Sequence, residues 1–286
     1  MLIINHPTIN WNIRIHCNDN ILVDEITKVF CGFKQNDTID LTNSGGIDIW
    51  IDVLDNKFSV NIEHLEYQEF SNKNLMIQWL YEICFHHTCL KADNWTFFHG
   101  AVVKNQKKQA ILLFGKTHAG KSTLTAALCL TRRYKYMSDD IVPLKLQSNQ
   151  LYANSFPKSI MIRDISVLPN SIYRYKCGSL EYPNNNSSLL INMYDDSINC
   201  LLPLPVEAVF FLNRTNDHIS HTIEIPTNEV KFSYLFESVR NPNDGKSNFE
   251  IIQQIMKLKN CYVINYYSSS DAIKAIDCYA DCHFTE

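Results

Sequence analysis

An α/β fold with a small α+β region at its N terminus is what this sequence predicts, on three features. Ala110 to Phe114 is an unbroken apolar run that ends in G-x-x-x-x-G-K-S, from Gly115 to Ser122, and opens into a helix. Upstream, Ile47-Asp48-Ile49-Trp50-Ile51-Asp52-Val53 alternates strictly and turns through Asp55-Asn56 toward Phe58, Val60 and Ile62, the pattern of a half-buried hairpin. Downstream, the apolar run Val206 to Leu212 is followed by helical patterns at Asn228–Val239 and Asn248–Lys257, a strand at Cys261–Tyr266 and a helix at Asp271–Ala280.

In chain order, Trp11, Ile13 and Ile15 mark a strand through Cys17, and Asp19 or Asn20 is placed to cap a helix running to Phe30. Asn74 to Ala92 is amphipathic, with Leu75, Ile77, Leu80, Ile83 and Leu90 on the helical period. These first 95 residues form the N-terminal region, which carries no recognisable chemistry and is expected to support the rest or to recognise an acceptor. From Thr96 a strand through Val103 turns at Lys104–Lys108 into the apolar run, and the helix beyond it spans Lys121 to about Leu130. Ile141 to Leu146 is extended and pairs plausibly with Leu151–Ser155, and Pro157 interrupts the pattern after Phe156. Residues 173–200 are polar and Asn-rich and read as a flexible insertion within a second region of 96–286, with 180–198 placed to close over an acceptor.

Composition narrows the partners. The 286 residues are 45% hydrophobic and 20% charged, which is material for one large core or two smaller ones. A net charge of −4 leaves no basic footprint, so nucleic acid is not an expected partner. No apolar run reaches the length of a membrane span and Met1–Asn10 lacks the pattern of an export signal, so no membrane is expected and the cytoplasm is the expected compartment. The 10 cysteines are scattered with no C-x-x-C pair. The tightest cluster, Cys84-Phe85-His86-His87-Thr88-Cys89, lies on a helix where Cys84 and His87, or Phe85 and Cys89, share faces. No second cluster completes four ligands, so buried free thiols are expected rather than zinc.

The glycine loop carries the chemistry. Gly115 and Gly120 permit backbone angles and close approaches that a side chain forbids. Lys116, Thr117, His118 and Ala119 between them, with Lys121, Ser122 and Thr123 at the helix start, can turn N–H groups inward around phosphate oxygens. Lys121 supplies a charge for the β and γ phosphates of a nucleotide, ATP being the expected one, and Ser122 a hydroxyl for Mg²⁺. Transfer further needs a metal anchor and a group to accept the nucleophile's proton. Asp139-Asp140, ending the short strand after the helix, offers both: one carboxylate beside Ser122 for Mg²⁺, the other for a proton. Adjacent side chains on an extended segment point to opposite sides, which separates the two tasks. His99 alone reads as an ordinary strand histidine.

Taken together, His99-Gly100-Ala101-Val102-Val103, the Gly115–Ser122 loop and Met137-Ser138-Asp139-Asp140 resemble HPr kinase and its relatives, which share the phosphoenolpyruvate-carboxykinase type of P-loop fold. Phe156-Pro157-Lys158 and the closing Cys261-Tyr262-Val263-Ile264 strand are similar to elements of HPr-kinase-related proteins. The E-x-R-G-x-G stretch of true HPr kinases is absent. Relatives lacking it include kinases encoded with ribosomal peptides, which phosphorylate a serine of a precursor such as a lasso peptide. The resemblance implies Lys121 on phosphates, Ser122 and Asp139 on Mg²⁺, Asp140 as base with His99 beside it, and Lys158 on phosphate or the acceptor. It implies a serine kinase whose partner is an acceptor peptide or small protein, and it is compatible with a homo-oligomer. A small-molecule kinase and a nucleotide-binding regulatory or scaffold module are the alternatives.

Overall fold

The computed structural model describes residues 1–5, 11–30, 34–35, 45–55, 57–63, 66–91, 95–156, 158–164, 166–181, 187–193, 203–216, 221–240 and 244–283. Strands β1 (Leu2–Asn5) and β2 (Trp11–Cys17) precede α1 (Asn20–Val29), whose first turn is closed by the Asp19 carboxylate accepting from the Ile21 and Leu22 amides. Then come β3 (Lys34–Gln35), β4 (Gly45–Leu54), β5 (Lys57–Ile62), β6 (Glu66–Phe70) and α2 (Lys73–Lys91). Strands β7 (Thr96–Phe98), β8 (Ala101–Lys104) and β9 (Ala110–Gly115) lead to α3 (Lys121–Leu130). After it come β10 (Lys135–Asp139), β11 (Val142–Gln147), β12 (Gln150–Ala153), β13 (Ile160–Ile162), β14 (Lys176–Glu181) and β15 (Ser187–Ile191). The chain closes with β16 (Leu204–Arg214), β17 (Thr222–Glu224), α4 (Asn228–Glu237), α5 (Gly245–Lys257), β18 (Cys261–Tyr266) and α6 (Ser269–His283).

Two compact units result. The first comprises Met1–Asp93, Pro157–Ile165 and Tyr173–Asn192. Its six-stranded sheet runs β3-β1-β2-β4-β5-β6, with β2 and β4 parallel and the other pairs antiparallel. Period-two alternation sends Ile13, Ile15, Ile47, Ile49, Ile51, Val60 and Ile62 to one buried face, and α1 and α2 contact the sheet through buried Leu22, Ile26, Met76 and Leu80. Residues 157–165 and 173–192, grouped by chain order with the second region, thus lie in the first unit. Within 173–200, β14 and β15 pair with each other and β15 with β13, where the sequence reads as a flexible loop. Buried Leu189, Leu190 and Ile191 give that ladder its apolar side. Residues 182–186 and 194–200 of the stretch, with Pro157, Cys31 and Cys200, lie outside the described residues. The eight described cysteines are thiols: Cys84, Cys89 and Cys261 are buried as expected, but Cys17, Cys129 and Cys177 are half-buried and Cys278 and Cys282, on α6, are exposed.

The second unit comprises Asn94–Phe156, Ser166–Ile172 and Met193–Glu286. Its sheet runs β10-β8-β9-β16-β12-β11-β7, with β18 beside β16 and β17 beside β18. β9 is apolar throughout because it is covered on both faces. Ala110, Leu112 and Phe114 pack with Leu235 of α4 and Ile251, Ile252 and Ile255 of α5. Ile111 and Leu113 pack on the other face with Leu124 and Leu128 of α3 and Ala272, Ala275 and Ile276 of α6. Truncating a side chain such as Phe114, which is fully buried, would cost about 3–5 kcal/mol. Strand direction decides which chain segments meet. β9 is parallel to β16 and β16 to β18, while β10 and β9 both run antiparallel to β8. Four strands therefore deliver their C-terminal ends to one sheet edge, and β8 begins there.

Candidate functional site

That edge gathers the glycine loop, the acidic pair and His99. β9 ends at Gly115, where an added Cβ would stand 2.9 Å from the Leu212 carbonyl oxygen and 3.0 Å from the Ala119 Cβ, so the loop leaves the sheet through a gap sized for hydrogen. The loop closes through the Ala119 amide donating to the Lys116 carbonyl at 3.0 Å, with His118 at φ 67° and Gly120 at φ 83°. Gly120 caps α3 without any side-chain hydrogen bond, which leaves the first-turn amides of Lys121, Ser122 and Thr123 facing the loop's concavity. From the end of β18 the Tyr266 hydroxyl donates to the Ala119 carbonyl. Burial raises the Tyr266 pKa to about 12, so it remains a donor at ordinary pH.

Lys121 is 6% exposed, and its ammonium donates to the Gly115 carbonyl at 2.8 Å and the Lys116 carbonyl at 3.1 Å. Burial lowers its pKa, and the charges of Asp139 and Asp140 act in the opposite sense. The side chain is parked on its own loop, within reach of any phosphate that enters it. Lys116, Thr117 and His118 are exposed and Ser122 is half-buried.

The acidic pair divides into two environments. Asp139, the last residue of β10 and aligned with Ala101 of β8, is 2% exposed. Asp140 is not extended as the sequence suggests: it sits at φ 66°, and the turn behind it is closed by the Ser138 hydroxyl on the Ile141 carbonyl. The left-handed bend at Asp140, between β10 and β11, replaces the strand alternation that the sequence suggests. Asp140 Oδ1 lies 3.4 Å from His99 Nε2 and 2.6 Å from Arg240 Nη2. A short antiparallel pairing brings those two partners side by side. The His99 amide donates to the Ser238 carbonyl at 2.5 Å, Phe98 bridges Val239, and the Arg240 amide donates to the Phe97 carbonyl at 2.9 Å. Beside them a cleft of about 310 Å³ is lined by His99, Gly115, Lys116, Thr117, Tyr234, Glu237 and Ser238.

The structure thus sets His99 against Asp140, and Lys121 within the field of Asp139 and Asp140, where β9 runs out into the glycine loop. Lys158 is a residue of the first unit, 2% exposed, with its ammonium 5.0 Å from the ring centroids of Tyr81 and Phe85 on α2. Arg240 and Tyr266 were not legible as site residues, since neither lies in a motif and both arrive through tertiary pairing. Among the described residues no group of three His, Cys, Asp or Glu could hold a metal. The Ser122 hydroxyl and the Asp139 carboxylate are oxygen donors of the kind Mg²⁺ takes, which usually keeps waters and nucleotide phosphates as its remaining ligands. No described helix is long and apolar enough to cross a membrane.

No family model matches this chain, and no curated protein does. Among solved structures it is similar to the HPr(Ser) kinase/phosphatase from Coxiella burnetii, at 14% identity over 65% of this chain and 95% of that one, with a TM-score of 0.30. That likeness is too slight to assign a fold or an activity.

Proposed function

We propose that this chain is an ATP- and Mg²⁺-dependent kinase that transfers the γ-phosphate to a serine hydroxyl of a small protein or ribosomal precursor peptide, a lasso-peptide type of acceptor being favoured over HPr. The observation that carries the reading is the Asp140 carboxylate, held by His99 and Arg240 beside a glycine loop that presents Lys121. The loop amides and Lys121 bind and orient the β and γ phosphates. Ser122 and Asp139 would hold Mg²⁺, which offsets phosphate charge when bound. Asp140 accepts the hydroxyl proton as the oxygen attacks phosphorus and ADP leaves with the bridging oxygen's electrons. His99 and Arg240 fix the direction in which that carboxylate faces.

The test compares Mg²⁺-ATP affinity by calorimetry with single-turnover transfer to serine-bearing precursor peptides. Asp140→Asn is expected to bind nucleotide as the parent does and to transfer about 10²–10⁴ times more slowly. His99→Ala should lose less, and Asp139→Asn should chiefly raise the Mg²⁺ requirement. Full transfer by Asp140→Asn, with transfer abolished in Asp139→Asn at intact metal binding, would reverse the two roles.

A further inference from the structure

The six-stranded sheet of the first unit has a second face, which no described element covers around β4, β5 and β6. It is not the polar surface that alternation alone would give. Trp50, Leu54 and Tyr67 project from it at 39%, 73% and 60% exposure. Strand register sets His16, Trp50, Asn61 and Tyr67 in one lateral row across four strands. The next row holds Asp52, Ser59 and Glu69, and on the other side lie Arg14 and Asp48. Glu63 is close enough to act on the Arg14 charge, and its amide donates to the Asp48 carbonyl at 3.0 Å.

The row is held rigid. The His16 and Trp50 rings stack at 5.1 Å with 10° between planes. His16 Nε2 lies 2.7 Å from Asp48 Oδ1, and Arg14 donates to both Asp48 oxygens, through Nε at 2.9 Å and through Nη2. On β6, Tyr67 donates to Glu69 at 2.6 Å. Trp50 is therefore backed by an anchored imidazole while it stays 39% exposed.

The charge balance on this face selects an occupant. Asp48, Asp52, Glu63 and Glu69 are four carboxylates against Arg14 and Lys57, so carboxylates outnumber the Lys and Arg side chains on this face. Arg14 is already committed to Asp48. Like charge opposes an anionic membrane, a nucleic acid, or the same face of a second copy. A guanidinium, by contrast, can lie against the exposed part of the Trp50 ring while a neighbouring carboxylate meets its N–H groups. From Asp48 to Leu54 the face spans about 20 Å, the length of roughly six extended residues.

We propose that this sheet face docks an arginine-rich, partly apolar peptide segment of a partner polypeptide. The proposal rests on the first unit alone and does not depend on the transfer reaction.

The experiment uses the full chain and fluorescence anisotropy of a labelled Arg/Leu/Ser peptide of about a dozen residues, long enough to span the face. A matched lysine peptide and a matched glutamate peptide serve as controls. The arginine peptide is expected to bind in the micromolar range, more weakly as salt rises, with lysine weaker than arginine and no binding of the glutamate peptide. Trp50→Ala and the pair Asp52→Asn/Glu69→Gln should each weaken it about tenfold, while Trp50→Phe retains most of it. Circular dichroism and Mg²⁺-ATP affinity should be unchanged in these variants, which separates loss of docking from loss of fold or of the nucleotide site. Equal affinity of Trp50→Ala and parent, equal binding of all three peptides, or no binding would overturn the proposal.

Discussion

Replacing Gly120 by alanine asks whether backbone handedness and Tyr266 together set the shape of the phosphate loop. Gly120 holds φ at 83°, and a Cβ there would stand 2.9 Å from the Tyr266 hydroxyl oxygen. The left-handed conformation costs an alanine about 1–2 kcal/mol. Displacing the hydroxyl adds about 1 kcal/mol. If the altered loop relaxes when empty and must re-form on binding, a total of about 2–3 kcal/mol is a loss of roughly 30- to 140-fold in nucleotide affinity. Tyr266→Phe removes the donor to the Ala119 carbonyl, a net cost of about 1 kcal/mol, or roughly fivefold. The double variant keeps the handedness cost and the lost hydrogen bond but has no overlap to relieve. Its loss should therefore fall short of the sum of the single losses by about 1 kcal/mol. Calorimetric titration of a non-hydrolysable Mg²⁺-ATP analogue into the four proteins measures this. Additivity within about 0.3 kcal/mol would show that Tyr266 does not share in shaping the loop, and the reasoning would fail.

Burial and charge set two further outcomes. Lys121→Ala removes the ammonium that rests on the Gly115 and Lys116 carbonyls, so nucleotide affinity should fall at least about tenfold in a protein that remains folded; unchanged binding would remove the phosphate reading itself. Asp48 is held at about 2, chiefly by hydrogen bonds from Arg14 and secondarily by His16, against burial that would raise it. A carboxyl depressed in the folded state contributes fully above its unfolded value near 4, and that contribution is lost as pH falls through about 2. In urea unfolding the parent should exceed Asp48→Asn by about 1 kcal/mol near neutrality, after solvent screening, and the gap should close toward pH 2; a gap independent of pH would contradict the assignment.

Much of the second unit is legible because its signals are local. The apolar run into G-x-x-x-x-G-K-S states strand, turn and helix in the thirteen positions from Ala110 to Ser122, and β9, the loop and α3 fall where those residues put them. The same holds for β4 and for the Asp19 cap of α1. What is not legible depends on partners distant in sequence. Residues 176–181 and 187–191 belong to a stretch polar enough to read as a loop, and pairing with each other and with Ile160–Ile162 makes a sheet of them. Arg240 reaches Asp140 across 100 positions through a ladder with β7 that no periodicity announces. Lys158 likewise lays its ammonium over the Tyr81 and Phe85 rings of α2, a contact with residues about 75 positions away that no local pattern announces.

The backbone itself separates connection from chemistry. Among the described residues, seven other than glycine have positive φ. Asp55 turns β4 into β5, Lys108 lies in the turn from β8 to β9, and Ser148 with Asn149 forms the two-residue turn from β11 to β12, where twist matching asks for left-handed residues. Arg132 comes just after the C-cap of α3, a position that commonly ends a helix in this conformation. That leaves His118 and Asp140, which neither close a hairpin nor end a helix. One curls the loop that would hold phosphate, and the other turns a carboxylate toward His99 and Arg240. A left-handed conformation on such residues costs about 1–3 kcal/mol and persists only where the surroundings impose it. Here the surroundings are the Ser138–Ile141 hydrogen bond and the Arg240 and His99 contacts for Asp140, and the Ala119–Lys116 hydrogen bond for the loop. Left-handed backbone that neither closes a hairpin nor ends a helix thus falls at one sheet edge, on two of the residues named from the sequence.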